Sequence, residues 1–168
     1  MLSILRHPNP LLKERSQEVN PADITTPHMQ QLMDDMIVTM YEDDGIGLAA
    51  PQVDHRIRLI VIGKEALKNF TCTQGTIDPK KDLVLVNPVW QKTSRKTNWE
   101  VEGCLSVPNV YGKVKRYMNV HVEALDRQGK PVVFEASKFF ARVVQHETDH
   151  INGVLFIDVA KDIYTAKK

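Results

Sequence analysis

The sequence predicts an α+β fold in which antiparallel β-strands pack around a central helix of the C-terminal half, with a further helix near the N-terminus. Three observations predict it. Short β-rich runs bounded by turn residues fill the middle of the chain. A helical apolar stripe with cap signals stands on either side of them. Asp126-Arg127-Gln128-Gly129 joins two β-rich runs across a short turn, which makes antiparallel hairpin pairing the expected geometry.

Taken in order, the first helix is expected over about 27–41, because Thr26 is a good N-cap, Pro27 suits the first helical position, and Met29, Leu32, Met33, Met36, Ile37 and Met40 recur at helical spacing. Its methionines read as a packing stripe rather than an adaptable groove. Gly45-Ile46-Gly47 then reads as a helix stop and flexible turn. Strands are expected at Arg58-Leu59-Ile60-Val61-Ile62, at Leu83-Val84-Leu85-Val86, in one long run from Val114 to Leu125, and at Val132-Val133-Phe134-Glu135. Trp90 and Trp99 are expected to flank a hairpin as packing aromatics. In Glu102-Gly103-Cys104-Leu105-Ser106-Val107-Pro108, glycine permits close backbone approach and Pro108 is expected to end any strand. Ser137 is the expected N-cap of the second helix, Phe139, Phe140, Val143 and Val144 its buried stripe, and Asn152-Gly153 its stop.

A chain of 168 residues suits one domain, here residues 1–168. With 22 basic against 21 acidic residues, no net field argues for nucleic acid or a membrane surface, so specificity must reside in a local site. The opening MLSILRHPNP lacks the apolar core of a signal peptide. Cys72 and Cys104 are then simplest as free thiols, and the expected compartment is the cytoplasm.

His146-Glu147-Thr148-Asp149-His150 carries the chemistry. At 3.6 residues per turn, His146 and His150 share one helix face and can bridge one divalent ion, while Glu147 lies about 100° round and is free to handle protons. With six His and nine Glu in the chain, chance predicts about 0.01 such patterns. Steps of four, three and four link Phe139, Val143, His146 and His150, so the metal face is expected to continue the core-facing one. Two imidazoles alone bind weakly, and Cys104 is the best further donor, although a lone cysteine is more often a small buried hydrophobe. Thiolate with two imidazoles suits zinc on ligand softness. Glu102 and Asp149 are both candidates to accept the second N–H of a ligating histidine.

Gly45-Ile46-Gly47-Leu48-Ala49-Ala50-Pro51-Gln52, Glu102-Gly103-Cys104-Leu105-Ser106 and Gln145-His146-Glu147-Thr148-Asp149-His150 resemble, in this order, the three motifs of peptide deformylases, and the similarity extends over nearly the whole chain. The resemblance implies one divalent metal on Cys104, His146 and His150, ferrous iron (Fe2+) first, with Zn2+, Ni2+ or Co2+ as alternatives. It implies catalysis by Glu147 as the base, with the Gln52 amide and the Leu105 backbone N–H as oxyanion donors. It implies release of formate from N-formylmethionyl nascent peptides. It implies that Gly45 pairs with the extended substrate and that Gly103 and His146 wall the methionine pocket, Val143 being added from helix phase. Three departures from the family pattern stand out: Asp54 in place of a common glycine, Tyr111 in place of an arginine near the substrate entrance, and Thr148 in place of a common methionine. The Lys167-Lys168 tail is a candidate for transient ribosome contact. A metallopeptidase with the same helix motif, and a closed non-catalytic metal-binding module, are the competing readings. His7, His28, His55 and His121 match no motif and read as surface or packing residues.

Overall fold

Thr26 caps the first helix as its sequence requires. Its hydroxyl oxygen accepts a hydrogen bond from the Met29 N–H, Pro27 occupies the first helical position, and α1 runs Pro27–Glu42. The computed structural model describes Met1–Lys167; Lys168, half of the basic tail, lies outside the described residues. After α1 come β1 (Gly47–Ala49), β2 (Leu59–Ile62), β3 (Phe70–Gln74), β4 (Leu83–Lys92), β5 (Thr97–Cys104), β6 (Val107–Tyr117), β7 (Asn119–Leu125), β8 (Pro131–Ser137), α2 (Lys138–Ile151) and β9 (Lys161–Thr165). The fold is α+β. Two antiparallel sheets form, one in the order β1-β2-β4-β7-β8-β3 and one in the order β5-β6-β9.

The larger sheet is covered on both faces. Ile60, Ile62, Leu85, Val122 and Phe134 cluster with Phe140, Val144 and Ile151 of α2. Leu59, Val61, Val84 and Val86 cluster with Met33, Met36 and Met40 of α1. This is why β2 reads as an unbroken apolar run rather than an alternation: side chains that point to opposite faces both meet a helix. Phe134 and Phe140 stack with ring centroids 5.3 Å apart. The methionine stripe of α1 is packing, since Met33, Met36 and Met40 are fully buried.

Several expectations are corrected. The run from Val114 to Leu125 is two strands in different sheets, parted at Met118, whose N–H donates to the Lys96 carbonyl and whose carbonyl accepts from the Lys138 N–H. One residue suffices for the change of sheet, so β-propensity continues across it. Trp90 and Trp99 flank no hairpin: β4 pairs with β7 and β5 with β6. Pro108 does not end a strand; it sits second in β6, inside the irregular stretch between the Glu102↔Gly112 and Cys104↔Val107 pairs, where no regular ladder bond is required of it. Ser137 occupies the N-cap position without capping, because α2 begins through a left-handed Lys138 (φ 56°) and the serine hydroxyl donates to the Asn69 carbonyl instead. Gly153 does stop α2, in the left-handed region at φ 76°.

Candidate active site

The face of α2 that carries the histidines borders a cleft of about 840 Å³ at Phe139 and His146, while Val143 and His150 on the same face are buried. Phe139, Val143, His146 and Glu147 line it together with Gly45, Gly47, Gln52, Gly103, Cys104, Leu105 and Tyr111. Phe139 is accordingly 46% exposed rather than buried, whereas Phe140, Val143 and Val144 are buried in the core as expected, Val143 also reaching the cleft wall.

Cys104 ends β5, so the hairpin delivers its thiol to the helix. One donor atom from each of Cys104, His146 and His150 lies within 4.8 Å of the others, with Cys104 Sγ 3.3 Å from His150 Nε2. A thiol and two imidazoles at this separation fit a divalent ion of the zinc or ferrous class. Burial, reinforced by the charges of His146 and Arg116, holds His150 well below the ordinary imidazole range, in the neutral form that can ligate.

His146 is oriented from behind. Its Nδ1 meets Glu102 Oε1 at 2.7 Å. Glu102 also accepts from Arg116 Nε at 3.0 Å and Nη2 at 2.9 Å, and from Arg142 Nη1 at 2.6 Å. Burial alone would raise the Glu102 carboxyl, but hydrogen bonds from His146 and Arg116 hold it well below the usual carboxylate range. Of the two carboxylates considered for this task, Glu102 touches an imidazole; Asp149 accepts from Arg116 Nη1 at 2.6 Å instead. Sequence reasoning missed Arg116 and Arg142. Arg116 has a signal in retrospect, since it shares a strand face with buried Gly112 and Val114, and Arg142 stands one helical turn before His146.

Gln52 lies in a 3-10 turn at Ala50–Val53. Its Oε1 accepts from the Ala49 N–H at 2.9 Å, which turns the amide nitrogen toward Ser106 Oγ at 3.1 Å and Cys104 Sγ at 3.5 Å. Ser106 belongs to the second motif, is fully buried, and had no role expected from the sequence. Leu105 and Ser106 form the two-residue turn between β5 and β6, and a first turn residue keeps its N–H out of the ladder.

Glu147 is 4% exposed, and its Oε2 has no hydrogen-bond partner among the described residues. Burial pushes its carboxyl up to about 7, opposed by the charge of His146 and reinforced by that of Glu102. A buried carboxylate left unpaired in a cleft is a candidate proton carrier. The glycines of the first motif are there for space rather than for flexibility: a Cβ on Gly47 would stand 2.7 Å from Glu147 Oε1, and one on Gly45 would stand 2.7 Å from Leu105 Cδ1.

The family model for polypeptide deformylase matches residues 1–166. The chain belongs to that family. It is an enzyme, a peptide deformylase by its relatives. Peptide deformylase 2 of Vibrio vulnificus is 46% identical over 159 residues, covering 94% of this chain and 85% of the relative. Peptide deformylase 1 of Bacillus subtilis is 41% identical, covering 96% and 91%. The Met-Ala-Ser-bound crystal structure of the Acinetobacter baumannii enzyme superposes with a TM-score of 0.82 at 34% identity, covering 95% of this chain and 98% of that one. A Synechococcus elongatus enzyme in complex with actinonin gives 0.82 at 37%, covering 96% and 79%.

The departures are placed by the structure. Asp54 is left-handed at φ 63° and ends the Gln52 turn, a conformation that glycine adopts more cheaply. Thr148 is buried and accepts from Trp90 Nε1 at 2.9 Å while donating to the Val144 carbonyl at 2.8 Å. Tyr111 stands at the cleft wall.

Proposed function

We propose that this chain, acting as one catalytic domain, hydrolyses the N-formyl group of N-formylmethionyl peptides and releases formate with a free N-terminal methionine. The observation that carries the reading is the meeting of three distant segments: the Gln52 amide, the Cys104 thiol and the Glu147 carboxyl all face one cleft that His146 lines. Cys104, His146 and His150 would hold a divalent metal, Fe2+ first and Zn2+, Ni2+ or Co2+ otherwise, which supplies Lewis-acid activation of water. Glu147 accepts the proton of the attacking water and returns it to the leaving amine, a task suited to a carboxyl near neutrality. The Gln52 amide and the Leu105 N–H donate to the oxygen on which charge develops, each worth on the order of 3 kcal/mol in comparable sites. Gly45 offers its backbone to the extended peptide, and Gly103, Val143 and His146 wall the methionine side chain.

A metallopeptidase is disfavoured by the thiolate in the donor set. A closed metal module leaves no task for Gln52 and Glu147. No helix among the described residues is long and apolar enough to cross a membrane. We place the chain in the cytoplasm with nascent peptides as partners, with a transient ribosome contact and without nucleic acid.

The test is formate release from formyl-Met-Ala by protein prepared anaerobically with ferrous iron. Formate without internal peptide cleavage supports the proposal. Cleavage of an unformylated peptide would replace it with the peptidase reading, and one bound metal with neither activity would replace it with the inert module.

A further inference from the structure

The N-terminal segment before α1 has no part in the reaction as proposed, yet it is bonded to both turns that carry the oxyanion donors. The Leu5 N–H donates to the Gln52 carbonyl at 2.7 Å, and the His7 N–H donates to the Ser106 carbonyl at 2.8 Å. Gln52 carries one donor in its side-chain amide, and Ser106 directly follows Leu105, whose N–H is the other. Ile4 and Arg6 line the cleft, while Leu5 between them packs against Leu12, Val107 and Leu155. This is the alternation of an extended chain, in which N–H groups two residues apart point to one side about 7 Å from each other. Both ends of the segment are anchored. The Leu2 N–H donates to Thr39 Oγ1 of α1 at 2.9 Å. Beyond His7 the chain enters a short 3-10 helix, Pro10–Lys13, whose Leu12 is buried and whose Lys13 carbonyl lies against Gly153 after α2.

We infer that the segment Leu5–His7 is a positioning strap, which sets the separation of the Gln52 turn from the Leu105–Ser106 turn and so fixes where the two donors point. The inference rests on the deformylation reading and deepens it. The two turns belong to different sheets: Gln52 follows β1 of the larger one, and Leu105 and Ser106 link β5 to β6 of the smaller. The Gln52 amide does reach Ser106 Oγ at 3.1 Å, but that contact occupies the group that has to serve the developing oxyanion. The strap joins the same two turns through their carbonyls, which have no task in the reaction, and leaves the amide and the Leu105 N–H free to donate. An oxyanion donor works by being aimed before the charge develops, and a misplacement of about 1 Å can cost on the order of 100-fold in rate. Two backbone bonds from one extended segment are therefore enough to matter for catalysis, although no side chain of the strap touches the reacting atoms.

The experiment compares variants of the iron-loaded full chain that keep or lose the donating N–H, reading kcat per bound iron and KM on formyl-Met-Ala, and metal affinity against a chelator. Proline has no N–H to give. Leu5→Pro is expected to lower kcat about 10- to 100-fold, with KM and metal affinity within about twofold of wild type. Leu5→Ala keeps the N–H and loses only packing, so stability is expected to fall while kcat per bound iron changes by less than about threefold. In a Gln52→Ala background, Leu5→Pro is expected to cost less than about threefold further, because no amide is left to misplace. His7→Pro against His7→Ala repeats the comparison at the Ser106 carbonyl with an exposed side chain, and decides the matter where Leu5→Pro does not fold. Equal kcat losses in the proline and alanine variants, or an undiminished cost of Leu5→Pro without the Gln52 amide, overturn the inference and leave deformylation intact. Failure of the wild type to release formate from formyl-Met-Ala removes the deformylation reading, and this inference with it.

Discussion

Helix α2 packs one face against the six-stranded sheet and turns the other to the cleft, and the two faces are held by different forces. On the sheet side Phe140, Val144 and Ile151 meet Ile60, Leu85 and Phe134, all essentially without exposure. Burial of this kind contributes about 1.5–3 kcal/mol per large side chain and tolerates small shifts. On the cleft side Arg142, His146 and Asp149 join Glu102 and Arg116 through hydrogen bonds of 2.6–3.0 Å. A buried ion pair gives little net stability over a well-packed apolar pair, since desolvation offsets the attraction. What it does give is direction. The contrast teaches that the sheet side secures the helix, while the charged side sets the angle of the imidazole that stands beside Cys104 and His150 in the candidate metal site.

The largest effect on the helix and its imidazole should come from the residue on which the charged side converges. Glu102→Ala leaves Arg116 and Arg142 buried with fewer acceptors and His146 without its partner. Stability should fall by about 3 kcal/mol, measured by urea denaturation. Metal affinity, titrated against a chelator, should fall about 10- to 100-fold. Glu102→Gln keeps the shape and one acceptor oxygen, so it should lose less of both. Equal losses in the two variants would mean that the charge matters more than the direction, and the contrast would need recasting.

Glu147→Ala tests the cleft without touching either support. The expected outcome is a rate about a thousandfold lower, within the usual range for removing a general base, with metal stoichiometry and melting temperature close to wild type. Full activity in this variant would sink the proposed proton path.

How far the sequence revealed this arrangement depends on which force was at work. Helix α1 was legible from its cap and apolar periodicity and α2 from its apolar periodicity and its Gly153 stop, all local signals, and so was β2, whose unbroken apolar run follows from two covered faces. The crossing at Met118 was not, because a strand that changes sheet over one residue leaves no break in β-propensity. Spacing alone placed His146 and His150 on one helix face, whereas Gln52 became visible only through its motif. Arg116 and Arg142 stayed hidden because the expectation for arginine is a solvated surface, and only the tertiary fold shows Glu102 waiting between them.

The sheet side contains a polar exception. Thr148 receives the Trp90 indole N–H at 2.9 Å, binding β4 to α2 at a point where an apolar contact would be expected. Thr148→Val keeps the shape and removes the acceptor. Because Trp90 is only half-buried, water can partly replace the lost partner, and the cost should be about 1–2 kcal/mol in urea denaturation. A cost near zero would mean that packing alone seats this face.

Ile60→Val should have the smallest effect and makes the sharpest comparison. It removes one methylene from a fully buried position beneath α2, which should cost about 0.5–1.5 kcal/mol of stability. If the sheet side only secures the helix, that loss should not reach the metal: affinity and kcat/KM should stay within about twofold of wild type, the scatter expected of independent sites. Should metal affinity fall in proportion to stability, then the two faces are energetically coupled through the helix. The charged network would then be transmitting strain from the core rather than setting the histidine by itself.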